Sequence, residues 1–189
     1  MEVTLRTIKF HVERNSDIVN SNVAIVVDPS IQSIVAIALD NRNIHPIQHA
    51  AMLAIDNVAK TQNGGAWVDH DEKREITLRG IDNKVYEYLK NQYPDLKYGS
   101  KPFRSKKDMS DDEVIEITDC GPYLCTGYYI YLLREPCIMC SMALVHARVK
   151  RVFYCFKNKD SGGLETKVKL QTISSLNHHF EVFTGFICP

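Results

Sequence analysis

A pair of cysteines separated by two residues is the feature that most constrains how this chain folds. Cys137 and Cys140 directly follow Pro136, and the sequence pattern changes at that point. Residues 128–133 (YYIYLL) form an aromatic and aliphatic run typical of a buried strand, whereas residues 137–147 (CIMCSMALVHA) have helical spacing. The sequence therefore predicts a strand that leads directly into a helix, with both cysteines in the first turn of that helix.

A second helix is predicted upstream, and it begins close to a histidine. Pro46 suits the first turn of a helix, and apolar residues at helical spacing continue to about Lys60. Helix N-termini carry partial positive charge and free N–H groups, which favour thiolates and the metal ions that thiolates bind. Taken singly, His49, Cys137 and Cys140 are more simply packed or surface side chains. Together they form a candidate Zn²⁺ site.

The remaining pattern predicts one layered α/β domain. Further strands are predicted at residues 23–28, 33–39, 152–156 and 180–186. The length of 189 residues and the hydrophobic content of 44% suit one compact domain. We interpret residues 1–22 as a lead-in segment and residues 23–189 as the domain. Between about residues 61 and 119 the pattern weakens, which indicates an insertion, and a short helix is predicted within it at residues 81–93.

Composition restricts the function classes. The 23 basic residues equal the 23 acidic ones, so any contact with RNA must come from a local patch. The longest apolar run, residues 34–39, is far shorter than the ~20 residues of a membrane span, and the first thirty residues lack the apolar core of a signal peptide. We therefore expect no membrane partner. We expect reduced thiols at Cys120, Cys125, Cys155 and Cys188, and a location in the nucleus, the cytoplasm or both.

A thioredoxin-like redox site is the alternative for a C-x-x-C pair between a strand and a helix. That alternative leaves Pro136 and the upstream His49 unexplained. Zinc nucleobase deaminases instead combine H-x-E with a later P-C-x-x-C, and their Glu is the general acid and base. Residues 49–51 of this chain read HAA, so Ala51 stands where that Glu is expected. Asp56 lies further along the same helix, and Glu135 precedes the cysteines on the other side of Pro136, so neither is expected to take its place.

Several segments resemble the non-catalytic subunits of eukaryotic heterodimeric tRNA adenosine deaminases, which belong to the cytidine and deoxycytidylate deaminase superfamily. These segments are residues 121–128, 133–148, 151–154, 162–164 and 176–183. The resemblance implies a three-layer α/β/α, cytidine-deaminase-like fold with a mixed five-stranded sheet. It also implies zinc held for structure by His49, Cys137 and Cys140, a catalytic partner subunit, and joint conversion of wobble adenosine to inosine in tRNA. The alternative is an active zinc-dependent nucleobase deaminase whose catalytic Glu was replaced by Ala51 through engineering.

Three further expectations concern binding. The candidate RNA-binding residues are Lys101, Arg104, Lys106, Lys107, Arg148, Lys150 and Arg151. The chain beyond Gly185 extends at most ~14 Å, so the carboxylate of Pro189 or the thiolate of Cys188 is a candidate fourth zinc ligand. Apolar residues around the helix that carries Cys137 and Cys140, namely Met142, Leu144 and Val145, are expected to contact the partner subunit.

Overall fold

The computed structural model describes residues 2–4, 6–7, 22–67, 74–103 and 121–185. The elements are β1 (Val23–Asp28), β2 (Ser33–Leu39), α1 (Ala50–Lys60), α2 (Asn83–Gln92), β3 (Lys97–Tyr98), β4 (Tyr129–Arg134), α3 (Ile138–His146), β5 (Arg151–Phe156) and β6 (Glu181–Phe183). Every strand predicted from the sequence is present, and α2 confirms the helix predicted within residues 81–93. None of the described helices is long and apolar enough to cross a membrane.

The strands form one sheet in the order β3-β2-β1-β4-β5-β6. Strand β1 is antiparallel to both β2 and β4, whereas β5 and β6 continue parallel to β4. The sheet is mixed as expected, but the prediction of five strands is wrong. The sixth strand, β3, belongs to the predicted insertion and pairs in parallel with β2. Because β3 has only two residues, it is too short to produce a periodic sequence signal.

Helices cover both faces of the sheet and create two apolar cores. Residues of α1 and α3, such as Ala54 and Leu144, pack with Val26 and Ile130 on one face. On the other face, Leu89 of α2 packs with side chains of β1, β2 and β4. This arrangement confirms the three-layer α/β/α fold. Leu144 and Val145 are almost fully buried in the first core, so they cannot contact a partner subunit as predicted.

Helix α1 begins later than the sequence predicted, and the difference sets the position of His49. The backbone N–H of Asn41 donates to the carbonyl of Gln48 at 2.8 Å, and the N–H of Gln48 donates to the carbonyl of His45 at 2.9 Å. These bonds close a loop that includes Pro46. A proline disfavours helical geometry at the residue before it. The helix therefore starts at Ala50, and His49 becomes its N-cap.

One expectation about the cysteines is wrong. Cys125 is a free, buried thiol, as predicted. Cys155, however, is disulfide-bonded. The other described cysteines, Cys125, Cys137 and Cys140, are free. Sequence spacing does not reveal disulfide pairing, and the cysteines therefore do not indicate the compartment.

Candidate metal centre

The candidate zinc ligands meet at one edge of the sheet because of the strand directions. Since β1 is antiparallel to both β2 and β4, those two strands run in the same direction and end at the same edge. Strand β2 leads to α1 and strand β4 leads to α3. His49 and Cys137 are the N-caps of these two helices, and neither side chain makes a capping hydrogen bond. Both side chains therefore remain available at the point where the two N-termini face each other.

The three predicted ligands form a compact donor set. The Nδ1 atom of His49 lies 3.7 Å from the Sγ atom of Cys137. One ligand atom from each of His49, Cys137 and Cys140 can be chosen so that all three lie within 4.8 Å of one another. A nitrogen and a sulfur bound to the same tetrahedral Zn²⁺ are about 3.6 Å apart. The separation and the His/Cys/Cys chemistry thus fit a zinc ion, and the sequence prediction of this triad agrees with the geometry.

The thiols of Cys137 and Cys140 differ in pKa, and Cys137 loses its proton first. A hydrogen bond from the Cys140 thiol, helped by backbone N–H groups at the start of α3 and by His49, lowers the pKa of Cys137 to about 5 despite partial burial. The same hydrogen bond, burial and the charge of the Cys137 thiolate raise the pKa of Cys140. A second thiolate at this distance therefore needs a nearby cation, which a divalent metal ion supplies.

A pocket of about 80 Å³ surrounds the triad, and Ala51 lines it. Ala51 is nearly completely buried in the first turn of α1, so it presents only a methyl group to the pocket. Among the described residues that line the pocket, the carboxylates are Asp40 and Glu135. The Oδ1 atom of Asp40 accepts a hydrogen bond from Nε of Arg42 at 2.6 Å. Asp40 is therefore already paired with a cation.

Glu135 is the second pocket carboxylate, and the protein uses it to hold a loop. It is 1% exposed and accepts hydrogen bonds from the backbone N–H groups of Asn158, Leu164, Glu165 and Thr166, at 2.8–3.1 Å, and from the hydroxyl of Thr166. Burial by itself raises the pKa of Glu135, but the bonds from Thr166 and two other amides outweigh it and lower the pKa. Both oxygens are occupied, so Glu135 cannot replace the missing base.

The glycines of this loop permit its close approach. A Cβ atom at Gly162 would overlap the carboxylate of Glu135, and one at Gly163 would lie 2.5 Å from Oγ of Ser141. The loop can therefore close over the start of α3 only because both positions lack a side chain. Sequence reasoning considered Glu135 only as a substitute catalyst and missed this role. The signal that could have found it is the Glu-Pro-Cys order followed by a Gly-Gly pair.

The other predicted binding residues are only partly described. Arg104, Lys106, Lys107, Cys188 and Pro189 lie outside the described residues, so those predictions remain predictions. Lys101, Arg148 and Lys150 are exposed at the opposite end of the sheet from the metal centre. Arg151 instead pairs with Glu181 and donates to the hydroxyl of Tyr129 at 3.0 Å. The structure thus separates Arg151 from the other three described cations.

Replacement of Glu135 tests its role in the loop. Glu135→Gln should lower the free energy of unfolding by about 1–3 kcal/mol, because an amide cannot satisfy the same set of buried donors. The native pKa of Glu135 is depressed, so its contribution is present above the usual value of 4.5 and is lost as the pH falls through the native pKa. Denaturant titrations across acidic pH should therefore show a shallower loss of stability in the variant.

The control for this measurement is Glu87→Gln, which changes an exposed carboxylate on α2. The control should match the parent in both stability and acid dependence. If Glu135→Gln also matches the parent, the carboxylate does not hold the loop.

Comparison with known proteins places this centre in a family. Residues 9–156, which include all three candidate ligands, match the model of the cytidine and deoxycytidylate deaminase zinc-binding region. One similar solved structure comes from a study of A-to-I editing by tRNA:A34 deaminases at the wobble position of transfer RNA. The structural match covers 98% of this chain and 95% of the solved chain. The identity is 18% and the TM-score is 0.50, so the two chains share the fold.

Two curated relatives cover most of the chain. The probable inactive tRNA-specific adenosine deaminase-like protein 3 of Danio rerio is 38% identical over 164 residues, which are 86% of this chain and 39% of that protein. The tRNA-specific adenosine deaminase TAD3 of Arabidopsis thaliana is 39% identical over 145 residues, which are 74% of this chain and 33% of that protein. The chain thus spans less than half the length of these relatives. By its sequence match, its fold and its His/Cys/Cys centre, the chain belongs to the cytidine and deoxycytidylate deaminase zinc-binding family.

Proposed function

We propose that this chain is a zinc-containing, catalytically inactive subunit of a tRNA adenosine deaminase, and that it supports a catalytic subunit and positions tRNA. The observation that carries the proposal is Ala51. It lines a pocket that retains the three candidate ligands His49, Cys137 and Cys140, at the position where the H-x-E motif of zinc nucleobase deaminases places the catalytic Glu. The metal centre is kept while the base is lost.

Loss of the carboxylate removes the proton transfers of deamination. In this chemistry a Glu takes a proton from the metal-activated water and passes it to the departing amine. A methyl group does neither, and general acid–base catalysis contributes typically ~10²–10⁴ in rate. Asp40 and Glu135 are held by other partners, so neither is free to substitute. The pocket can therefore hold a metal ion without catalysing deamination.

Zinc in this pocket would serve stability. When bound, Zn²⁺ would cross-link the start of α1 to the start of α3 through one imidazole and two thiolates. The thiol of Cys140, helped by the N–H groups at the start of α3, favours the thiolate of Cys137 and lowers its pKa. His49 and Cys137 are already positioned for this cross-link, since both N-caps face the same pocket. We therefore propose a structural zinc site whose removal loosens the contact between these two helices.

The proposal of a tRNA role is supported by the names of the relatives. The Danio rerio relative is named probable inactive and tRNA-specific, which matches the missing base and the retained fold. We propose a location in the nucleus, the cytoplasm or both, because tRNA is made and used there. The alternative of an engineered loss of an active Glu shares the same metal centre, and the Ala51 experiment below discriminates the two.

A partner subunit is supported by exposed apolar side chains beside the ligands. Ile44 and Ile47 precede His49 in the loop before α1 and are 72% and 45% exposed. Ile138 and Met139 lie between the two cysteines in the first turn of α3 and are 44% and 41% exposed. Large apolar side chains near one pocket favour a protein contact over solvent. We propose that the catalytic subunit covers this surface.

Metal analysis tests the structural zinc site. The purified chain should contain about one Zn²⁺ per chain, and Cys137→Ser should lower both the zinc content and the thermal midpoint of unfolding. The control His146→Ala removes an exposed imidazole at the end of α3 and should change neither quantity. A metal-free preparation with the same thermal midpoint as the zinc-bound chain would contradict the proposal.

Activity measurements test the role of Ala51. The chain alone should not deaminate an RNA stem-loop with adenosine at the wobble position. Ala51→Glu should remain inactive or nearly so, because a pocket without catalysis has not kept the surrounding contacts in productive geometry. Inosine formation measured by primer extension decides between the alternatives. Robust activity of the Glu variant would favour an active deaminase, and activity of the unaltered chain would refute the proposal.

Co-purification tests the partner surface. We expect the chain to co-purify with a co-expressed deaminase subunit that carries an intact H-x-E motif, and Ile44→Glu or Ile47→Glu should abolish this association. Both positions are exposed, so zinc content and thermal stability should stay unchanged. Ile173→Glu alters another exposed apolar residue, which is not one of these four, and should leave the association intact. Equal association of all variants would exclude the surface.

A further inference from the structure

A groove of about 770 Å³ lies at the end of the sheet opposite the metal centre. Its walls include the end of β1 at Asp28, the start of β4 at Tyr129, and the loop around Tyr123. The metal pocket instead contacts the other end of β4 at Arg134. At ~3.3 Å per residue along β4, the two sites are roughly 17 Å apart. The groove is therefore a second, separate surface.

The groove carries positive charge. Lys101 and Lys150 both line it and are exposed, although they are distant in sequence. In the part of the chain that the structure describes, neither they nor Arg148 lies within salt-bridge distance of a carboxylate. The carboxylate that lines the groove, Asp28, is buried and accepts hydrogen bonds from the N–H and hydroxyl of Ser30 at 2.8 and 2.6 Å. The net charge of the described groove is therefore positive.

An exposed aromatic ring lies at the edge of this charge. Tyr123 is 64% exposed, and the guanidinium of Arg148 lies over its ring at 5.1 Å from the centroid. The loop that carries Tyr123 is anchored, because the N–H of Cys125 donates to the carbonyl of Ala147 at the end of α3. The ring and the guanidinium are thus presented from a fixed backbone. Exposed aromatic rings with arginine neighbours are the usual stacking partners of unpaired bases.

Arg148 occupies an unfavourable backbone conformation. It follows the C-cap of α3, Ala147, and has φ of +59°, in the left-handed region that this helix position usually gives to glycine. A residue with a large side chain is disfavoured there. Glycine would satisfy this backbone better, so removal of the guanidinium should not destabilise the chain.

From this groove we infer a binding site for a single strand of RNA, in which Lys101 and Lys150 contact phosphates and an unpaired base stacks at the Arg148–Tyr123 pair. The inference rests on the proposed tRNA role, and it assigns that role to a defined surface. Phosphate contacts provide most of the affinity for RNA, and stacking provides a preference for unpaired segments. Arg151 is not part of the site, because it pairs with Glu181.

Stacking is tested by binding of the full chain to two labelled RNAs, a stem-loop with unpaired loop bases and a fully paired blunt-ended duplex of equal charge. Tyr123→Ala should weaken binding to the stem-loop about tenfold and leave binding to the duplex nearly unchanged. Arg148→Gly should weaken stem-loop binding similarly, yet its thermal midpoint should equal or exceed that of the parent, because glycine suits this backbone. Fluorescence anisotropy and thermal unfolding measure both.

Phosphate contacts are tested by salt dependence. Lys101→Ala and Lys150→Ala should each reduce the slope of log Kd against log salt by about 0.7, the value expected for one contact with a single strand. The matched control is Lys84→Ala, which removes an exposed lysine on α2 and should leave the slope unchanged. Unchanged slopes for both groove variants would overturn the phosphate assignment.

Other outcomes would overturn the groove as an RNA site. These are absence of stem-loop binding by the parent chain, unchanged binding by Tyr123→Ala and Arg148→Gly, and equal competition by poly-glutamate, which would indicate an acidic protein ligand. Co-purification with the catalytic subunit and deamination are measured on the same variants. A heterodimer that forms and deaminates while the groove variants bind RNA normally refutes the groove alone. Failure of the heterodimer refutes the proposed function separately.

Discussion

The meeting of two helix N-termini at one edge of the sheet is the constraint on which the site depends. It follows from the position of β1, which is antiparallel to both neighbours and so makes β2 and β4 end at the same edge. His49 and Cys137 are the N-caps of the helices that follow. The positive ends of two helix dipoles therefore converge, which favours thiolates and makes this edge suitable for a metal ion.

Glu135 stabilises the same edge by different means. Its buried carboxylate accepts hydrogen bonds from N–H groups of the loop that contains Gly162. This loop closes beside the first turn of α3. A carboxylate that accepts hydrogen bonds from several amides stabilises the loop that carries them, because charged acceptors bind N–H groups more tightly than neutral ones. The pocket thus has a carboxylate for structure, while the position suited to catalysis holds Ala51.

The candidate metal ligands and the catalytic base therefore depend on different features of this fold. The ligands depend on two helix starts and on strand direction, which the whole domain enforces. The base depends on one side chain in the first turn of α1. Ala51 is buried in the same core as Ala54, so a methyl group at this position is compatible with the packing of α1. A chain can lack the catalytic carboxylate and keep the fold and the candidate metal site.

Local sequence pattern predicted the elements well where the pattern was long. The strand and helix around Cys137 were predictable because an apolar run and a helical repeat are local signals. The start of α1 was not, because the bond between Asn41 and Gln48 decides it. Strand β3 was too short to detect, and the disulfide at Cys155 depends on a partner that spacing does not identify.

The sequence by itself determined the candidate metal ligands and the absence of the base, because both are matters of residue identity at fixed motif spacing. Only the tertiary structure decided which charges act together. Lys101 and Lys150 share a groove although they are far apart in sequence. Arg151, the neighbour of Lys150, pairs with Glu181 instead. The physical reason is that successive residues at a strand point to opposite sides, and strand order, which motif spacing does not encode, brings distant residues together.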